Sequence, residues 1–424
     1  MADRLDRSPA RRGGDLAALG GDVARLGRLR FAVLFAVFLL STGWLAGGLG
    51  TSWWYHPPGL VNSGGSAIGR DFVAPWSASA LALSGHAAAA YDQAAFRAAE
   101  TETIGVPVPF IAWFYLPSFL LLVLPLALLP YLAALALWLG APLLALARLL
   151  RRVLPQPLAP VAALIFPATA QCLISGQNGI LSAALLAGGL LGLATRPALA
   201  GALFGLLSYK PQLAVAAFAA LLFGRHWRAL AAALATALAL AAVSLAAFGW
   251  ESWRLGLATL GAARQALETG EIAWDRLVTV FGAARLAGAG ITTAYALQAL
   301  AALAAIFMLW WVWRRPAPLA LQGSALALAI PLTTPYAFDY DLVLLLLPLA
   351  WLLREGMANG FRRGEVTLLV LVWLCPVAGW LVAHWSHLLL TPVLLLLLLV
   401  ATLRRAVADA PGQPAAGWAR QLPR

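Results

Sequence analysis

The chain has 424 residues, of which 62% are hydrophobic and only 11% are charged, and its mean hydropathy is +0.83. Soluble globular domains are about half apolar and about a quarter charged, so this composition excludes an ordinary soluble protein. It predicts an integral membrane protein whose apolar segments of roughly 20 residues cross the bilayer. The net charge of +12 comes mainly from arginines that lie beside the apolar runs. That placement favours contact with anionic membrane lipids and argues against a nucleic-acid partner.

The first apolar run, FAVLFAVFLLSTGWLAGGLG (31–50), follows an arginine-rich stretch and ends in the aromatic segment TSWWYHPP. Aromatic side chains collect at membrane–water interfaces. The run is therefore predicted to span the membrane as an uncleaved anchor rather than a signal peptide. Residues 1–30 then form a cytoplasmic basic tail, and the loop 51–109 lies outside.

Further apolar runs recur along the chain, the next of them at 110–130. Together they predict an all-α membrane domain of about twelve spanning helices over 31–403, followed by a cytoplasmic tail over 404–424. Most arginine clusters then fall inside, as the positive-inside rule requires. The cluster RLLRR (148–152) falls outside. Either one span between 110 and 194 is wrong, or these arginines have a function on the outer side.

The stretch GRDFVAPWSASALALSGHAAAAYD (69–92) is too short and too interrupted to span the membrane. Its apolar positions recur at roughly helical spacing, which predicts a helix lying in the membrane interface. Asp71 stands at the start of that helix, where it is either an N-cap or a general base at the depth of a lipid-borne donor. Arg70 pairs with Asp71 or binds phosphate. Asp92 orders the loop or contacts sugar hydroxyls.

Polar side chains interrupt two later apolar segments. Gln177 and Asn178, in ISGQNGIL (174–181), either form a turn or bind a sugar. Lys210 is the sole lysine of the chain and lies in LFGLLSYKPQLAV. A charge at membrane depth costs about 2.5–3.5 kcal/mol on insertion scales. Lys210 therefore snorkels to the surface, pairs with an acid or binds phosphate.

The segment LTTPYAFDYDLVLLLLP (332–348) opens a predicted span with Tyr336, Asp339 and Asp341, which are candidate substrate-binding residues. Acids in the first turn of a helix also interact favourably with its dipole. Because Asp339 and Asp341 are two residues apart, they face different directions on a helix. At most one of them is expected to face a shared cavity.

No motif predicts a metal or a cofactor. The sequence has neither a GxxxxGK[ST] phosphate loop nor an HExxH motif, and its histidines are scattered apart from the weak pair His384 and His387. Cys172 and Cys375 lie far apart inside apolar runs, which is typical of small core residues. The sequence therefore predicts no metal site.

Five segments in this order and spacing resemble glycosyltransferase family 87: GRDF…LSGHAAAAYD, FYLPSFLLLVLPLALLP, GQNGILSAALLAG, GLLSYKPQLAV and TTPYAFDYDLVLLLLP. The resemblance covers about residues 30–400. Members of the family are multispanning enzymes of the GT-C type, similar to polyprenyl-phosphate-mannose-dependent mannosyltransferases. One departure is visible, since the family often shows Tyr-Pro-Pro where this chain has Tyr115-Leu116-Pro117.

The resemblance implies an outward-facing cavity in the cell inner (plasma) membrane, with Asp71 as the catalytic base. It implies inverting transfer of a hexose, mannose in this reading, from a polyprenyl-phosphate sugar to a lipid or glycan acceptor. Without a metal, basic side chains would stabilise the leaving phosphate; the candidates are Lys210, Arg70, Arg148, Arg151 and Arg152. Two alternatives remain open: a transporter or flippase of lipid-linked sugars, and a ligase or polymerase of surface polysaccharide. A transporter is expected to show repeat-related broken helices.

Overall fold

The computed structural model of the chain describes residues 32–408, and nearly all of its regular structure is helical. The helices are α1 (Ala32–Ser52), α2 (Val73–Leu83), α3 (Gln93–Ile104), α4 (Pro117–Val123), α5 (Tyr131–Val153), α6 (Ala159–Ile165), α7 (Pro167–Ser175), α8 (Gly179–Gly192), α9 (Pro197–Leu206), α10 (Pro211–Phe223), α11 (Trp227–Thr269), α12 (Val280–Leu286), α13 (Ile291–Trp313), α14 (Leu319–Leu332), α15 (Leu346–Asn359), α16 (Glu365–Ser386) and α17 (Thr391–Ala408). A short antiparallel hairpin joins β1 (Tyr55–His56) to β2 (Val61–Asn62), with Tyr55 opposite Asn62.

The all-α class predicted from the sequence is confirmed for the described residues. By length and composition, α1, α5, α11, α13 and α16 can each cross a membrane, and several shorter apolar helices accompany them. The number of about twelve spans stays a prediction. The predicted tail over 1–30 lies outside the described residues, as do residues 409–424, whereas residues 404–408 continue α17.

The apolar run at 110–130 does not form a spanning helix, which corrects the sequence prediction. Residues 107–116 lack regular secondary structure, and α4 is followed only by the 3₁₀ turn Leu126–Leu128. Neither element has the roughly 20 residues that a span needs. Prolines explain the interruption, because proline lacks the backbone N–H and disfavours helical geometry in the preceding residue; they stand at positions 107, 109, 117, 125 and 130.

Helix α5 runs from the neighbourhood of Asp71 to that of Arg354. At its start, the Tyr131 hydroxyl donates a 2.8 Å hydrogen bond to the Ile68 carbonyl, close to Asp71 in the chain. At its other end, the Arg354 guanidinium donates a 2.9 Å hydrogen bond to the Val153 carbonyl. The RLLRR arginines therefore lie near Arg354, which the positive-inside rule places inside. The missing crossing at 110–130 shows that one of the spans predicted between 110 and 194 is wrong, which is the first of the two explanations left open for this cluster.

Glycines fix the packing of α9 against α11. A Cβ on Gly201 would collide with the Ala229 carbonyl oxygen, and one on Gly205 would lie 2.5 Å from the Ala233 carbonyl oxygen. Small residues four apart allow two helix backbones to approach closely. The first half of α11 is thereby anchored. Beyond the kink at Gly249 (φ 75°, ψ 168°), its second half continues along the cavities described below.

The helix predicted after Asp71 is present as α2. Many of its residues are buried in the protein, and the Trp76 indole N–H donates a 3.2 Å hydrogen bond to the Leu129 carbonyl. Ser79 also donates a 2.7 Å hydrogen bond to the Leu124 carbonyl. These contacts hold α2 against the segment after α4. Its position in a membrane interface stays a prediction.

Candidate functional site

Asp71 lies in a 3₁₀ turn, Arg70–Phe72, directly before α2. It does not occupy the N-cap position of that turn or of α2, so the N-cap interpretation is excluded for this carboxylate. The Gln177 side-chain amide donates a 2.8 Å hydrogen bond to Asp71 Oδ2, and Arg70 Nε lies 3.7 Å from Asp71 Oδ1. The Asp71 side chain is 19% exposed. The carboxylate is therefore oriented by protein contacts and still accessible.

The GQNG segment brings two distant parts of the chain together. Gly176 ends α7 with φ +72°, and a Cβ there would collide with the Gly69 carbonyl oxygen. A Cβ on Gly179 would collide with the Tyr340 carbonyl oxygen. Glycine permits both the positive φ and the close backbone approach. Gln177 and Asn178 consequently lie between the Asp71 turn and the segment around Tyr340.

Asn178 combines satisfied and unsatisfied polar groups. The residue is 4% exposed, and its amide N–H donates a 2.9 Å hydrogen bond to the Tyr115 hydroxyl. Its Oδ1 atom is buried and has no hydrogen-bond partner among the described residues. A buried carbonyl oxygen without a partner carries a desolvation cost. Asn178 Oδ1 is therefore an acceptor suited to a hydroxyl of a bound ligand.

Lys210 forms an ion pair with Asp341. Its Nζ atom donates a 2.6 Å hydrogen bond to Asp341 Oδ1, and both side chains are almost fully buried. Asp341 Oδ2 also accepts a 3.1 Å hydrogen bond from the Phe338 backbone N–H. An ammonium has three N–H donors, so Lys210 keeps donors beyond the one given to Asp341. Of the interpretations left open by the sequence, the structure shows the pairing with an acid.

Asp339 has a different cation, which the sequence analysis missed. Arg276 Nη2 lies 3.0 Å and 3.2 Å from the two carboxylate oxygens of Asp339. The Tyr340 backbone N–H donates a further 2.8 Å hydrogen bond to Asp339 Oδ1. Asp339 and Asp341 thus contact different partners, as their two-residue spacing predicts. Arg276 gave no signal in the sequence because it lies in a polar stretch after α11.

Two neighbouring cavities meet at Asp71. The first, here called the lysine cavity, has a volume of about 510 Å³, and its polar lining includes Asp71, Gln177, Asn178, Lys210, Tyr336 and Asp341, together with Gln212, Arg264 and further tyrosines. The second, the arginine cavity, has a volume of about 770 Å³ and is lined by Arg70, Asp71 and Arg276, among others. Ile111, Phe338 and Tyr340 also line both cavities. Asp71 is therefore the carboxylate that both spaces share.

Several residues singled out from the sequence lie elsewhere. Asp92 is the N-cap of α3, where its carboxylate accepts a 2.8 Å hydrogen bond from the Ala95 N–H, and it lines neither cavity. Arg148, Arg151 and Arg152 also line neither cavity. They follow Trp138, which does line the lysine cavity, by ten to fourteen residues, or roughly 15–21 Å of helix. The structure does not bring these arginines together with Asp71.

Glu100 is a second residue that the sequence analysis missed. It is 1% exposed on α3, and the Ile111 backbone N–H lies 3.3 Å from both of its carboxylate oxygens. Burial raises the pKa of Glu100 to about 7, although the Ile111 hydrogen bond and the nearby Arg97 charge oppose this rise. Through Ile111, Glu100 fixes a residue of the wall between the two cavities.

Within residues 32–408, no three His, Cys, Asp or Glu side chains lie close enough together to hold a metal ion.

The family model of glycosyltransferase family 87 matches residues 113–335 of the chain. The matched range includes Gln177, Asn178, Lys210 and Arg276, whereas Asp71 precedes it. No curated protein and no solved structure matches the chain.

Proposed function

The chain belongs to glycosyltransferase family 87, and we propose that it transfers a hexose, specifically mannose, from a polyprenyl-phosphate sugar to a hydroxyl of a lipid or glycan acceptor. The transfer inverts the anomeric carbon and takes place at the outer face of the inner (plasma) membrane, in which the chain is a multi-pass protein of the GT-C type. The observation that carries this proposal is the position of Asp71, whose carboxylate lines both the lysine cavity and the arginine cavity.

The donor occupies the lysine cavity in this proposal. The walls of this cavity include the apolar side chains of Leu116, Phe119 and Leu260, which suit the first isoprene units of a prenyl chain. Asp341 uses one of the three N–H donors of the Lys210 ammonium, and the donor phosphate accepts hydrogen bonds from the others. The unpartnered Asn178 Oδ1 accepts a hydrogen bond from a sugar hydroxyl. Tyr336 and Gln177 line the same space, as does Asp341.

The acceptor enters through the arginine cavity, and Asp71 acts as the general base. An acceptor hydroxyl has a pKa far above neutrality, so it attacks well only as its proton leaves; a positioned carboxylate typically contributes about 10²–10⁴-fold to the rate. The acceptor oxygen forms a bond to the anomeric carbon, and its proton passes to Asp71. The bond between that carbon and the phosphate oxygen breaks on the opposite face, which inverts the configuration.

The leaving group is polyprenyl phosphate, which departs with the electron pair of the broken bond. Cations fixed near the developing charge stabilise it, and such electrostatic stabilisation is often the largest catalytic contribution. Lys210 has this role in our proposal. Arg276 and Arg70 orient the acceptor and balance the charge of Asp339 and Asp71. Arg148, Arg151 and Arg152 are not part of the proposed phosphate site because they lie at the other end of α5.

The test is a transfer assay with the detergent-purified protein, labelled polyprenyl-phosphate mannose and extracted membrane lipids. We expect the label to appear covalently bound in a new lipid or glycan, and Asp71→Asn to slow its appearance by about 10²–10⁴-fold. In reconstituted vesicles, movement of the donor across the bilayer without a new glycosidic bond would instead support a transporter of lipid-linked sugars.

A further inference from the structure

A third cavity lies next to the arginine cavity and has no role in the reaction described above. It has a volume of about 510 Å³, within the range of small-molecule sites. It lies between the end of α1, the loop that follows β2 and the irregular segment 109–111. We call it the hydroxyl cavity after its polar lining, which consists of Thr51, Ser52, Asn62, Ser63, Ser66 and Arg70.

The hydroxyl cavity is preformed by the side chain of Asn62. Asn62 Oδ1 accepts hydrogen bonds from the backbone N–H groups of Gly64, at 3.0 Å, and Ser66, at 3.1 Å. Its Nδ2 atom donates a 3.3 Å hydrogen bond to the Ser52 carbonyl at the end of α1. These bonds fix the loop after β2 against the helix. A ligand therefore meets a site that is already ordered, which lowers the entropic cost of binding.

The chemistry of this cavity suits a neutral polyhydroxyl ligand. The Ser63 and Ser66 hydroxyls have no hydrogen-bond partner among the described residues, and each can donate one hydrogen bond and accept others. No described residue that lines the cavity is acidic, and its one charged residue, Arg70, stands at the border with the arginine cavity. Hydroxyl groups are therefore the main hydrogen-bond partners that this cavity offers to a ligand.

The hydroxyl cavity adjoins the arginine cavity, which Asp71 lines. Arg70, Phe110 and Ile111 line both this cavity and the arginine cavity, and Asp71 lines the latter. We propose that the hydroxyl cavity binds the distal hexose units of the acceptor, while the proximal unit presents its hydroxyl to Asp71. This inference rests on the proposed function and names the acceptor class as a neutral oligosaccharide, or the glycan of a glycolipid, with at least two hexose units.

The first test compares two acceptors of different length. With polyprenyl-phosphate mannose as donor, we expect the wild-type KM for α-mannotriose to be about tenfold lower than that for methyl α-mannoside, because only the trisaccharide gains the additional hydrogen bonds. Ser63→Trp places an indole in the hydroxyl cavity and should raise the KM for mannotriose towards that for the monosaccharide. The matched control is Ser84→Trp, at an exposed serine of the same outer loop that lines none of the three cavities.

A second measurement needs neither transfer nor a bulky substitution. Cys172 and Cys375 are buried, so Ser63→Cys introduces an accessible thiol. Mannotriose should slow the labelling of this cysteine by a membrane-impermeant thiol reagent, and methyl α-mannoside should slow it much less. Equal protection by the two sugars, no protection by mannotriose, or equal wild-type KM values would overturn the hydroxyl cavity as a glycan site. Absence of transfer to every acceptor, the membrane-lipid extract included, would overturn the proposed function instead.

Discussion

The Gln177 amide donates a 2.8 Å hydrogen bond to the Asp71 carboxylate across 106 positions of the chain. A neutral donor on Oδ2 fixes the orientation of the carboxylate without neutralising it. The nearest cation, at Arg70, lies 3.7 Å from the other oxygen and is half exposed to solvent. The Asp71 carboxylate is thereby held in one orientation and is still partly exposed, which is the geometry that a positioned general base requires.

Asp71→Asn should lower the rate of transfer by about 10²–10⁴-fold while donor binding persists, because the amide preserves the shape of the side chain and removes the base. The matched variant is Asp92→Asn. Asp92 only caps α3, and asparagine is an equally good N-cap, so transfer should stay near the wild-type level. Turnover and donor affinity of both purified variants check this prediction. If Asp71→Asn keeps more than about a tenth of wild-type turnover, another residue is the base.

The sequence indicated those parts of the site whose residue types are unusual for their surroundings. Lys210, the GQNG segment and the Asp339–Asp341 pair are polar interruptions of apolar runs, and each lies at or beside the lysine cavity. Arg276 and Glu100 lie in polar stretches, where a charged residue is expected to be solvated. In the folded chain, Arg276 pairs with Asp339, and Glu100 is buried and accepts a hydrogen bond from the Ile111 N–H. Both contacts are tertiary and leave no local signal in the sequence.

The wrongly predicted span at 110–130 also has a physical cause. Hydropathy alone indicates a span at 110–130, but its prolines prevent a continuous helix, and the segment packs on α2 instead. The structure places the RLLRR arginines near Arg354, because the Arg354 guanidinium donates a hydrogen bond to the carbonyl of Val153, which directly follows them. The ion pair of Lys210 with Asp341 joins residues 131 positions apart, and no local pattern identifies such a pairing.

Gly179→Ala should lower both stability and activity. Its Cβ would overlap the Tyr340 carbonyl oxygen, so the segment carrying Asp339 and Asp341 would have to move away from the GQNG turn. Overpacking of this kind typically costs about 1–3 kcal/mol. Gly140→Ala, at an exposed site in α5 with no atom within 4 Å of the new methyl group, should be neutral or slightly stabilising. Melting temperatures in detergent and transfer rates check both variants, and equal behaviour would contradict the close approach at Gly179.

Lys210→Met should reduce the yield of folded protein, because it leaves the buried Asp341 carboxylate without its cation; breaking such a pair typically costs about 3–5 kcal/mol. The double variant Lys210→Met/Asp341→Asn removes both charges and keeps an acceptor for the Phe338 N–H, so it should recover much of that yield. It should still bind the donor poorly, since the proposed phosphate donors are gone. Size-exclusion profiles and donor affinity separate the two effects. Wild-type donor affinity in the double variant would show that Lys210 is only structural.

Glu100→Gln should change how stability depends on pH. Burial raises the pKa of Glu100 from 4.5 to about 7, so the folded protein favours the protonated form more than the unfolded chain does. The resulting stabilisation is complete below about pH 4.5 and is lost as the pH rises through about 7. Because one pKa unit corresponds to about 1.36 kcal/mol, the loss is on the order of 3 kcal/mol.

Glutamine is uncharged over this range and still offers an oxygen to the Ile111 N–H, so the melting temperature of Glu100→Gln should change less than that of the wild type between pH 5 and pH 8. The variant should be the more stable protein at pH 8, because it avoids a buried charge. Glu102→Gln is the control, since Glu102 is exposed on the same helix and its replacement should leave the wild-type pH profile unchanged. Thermal unfolding in detergent across this range checks the prediction. Parallel curves for the wild type and Glu100→Gln would show that ionisation of Glu100 does not oppose folding.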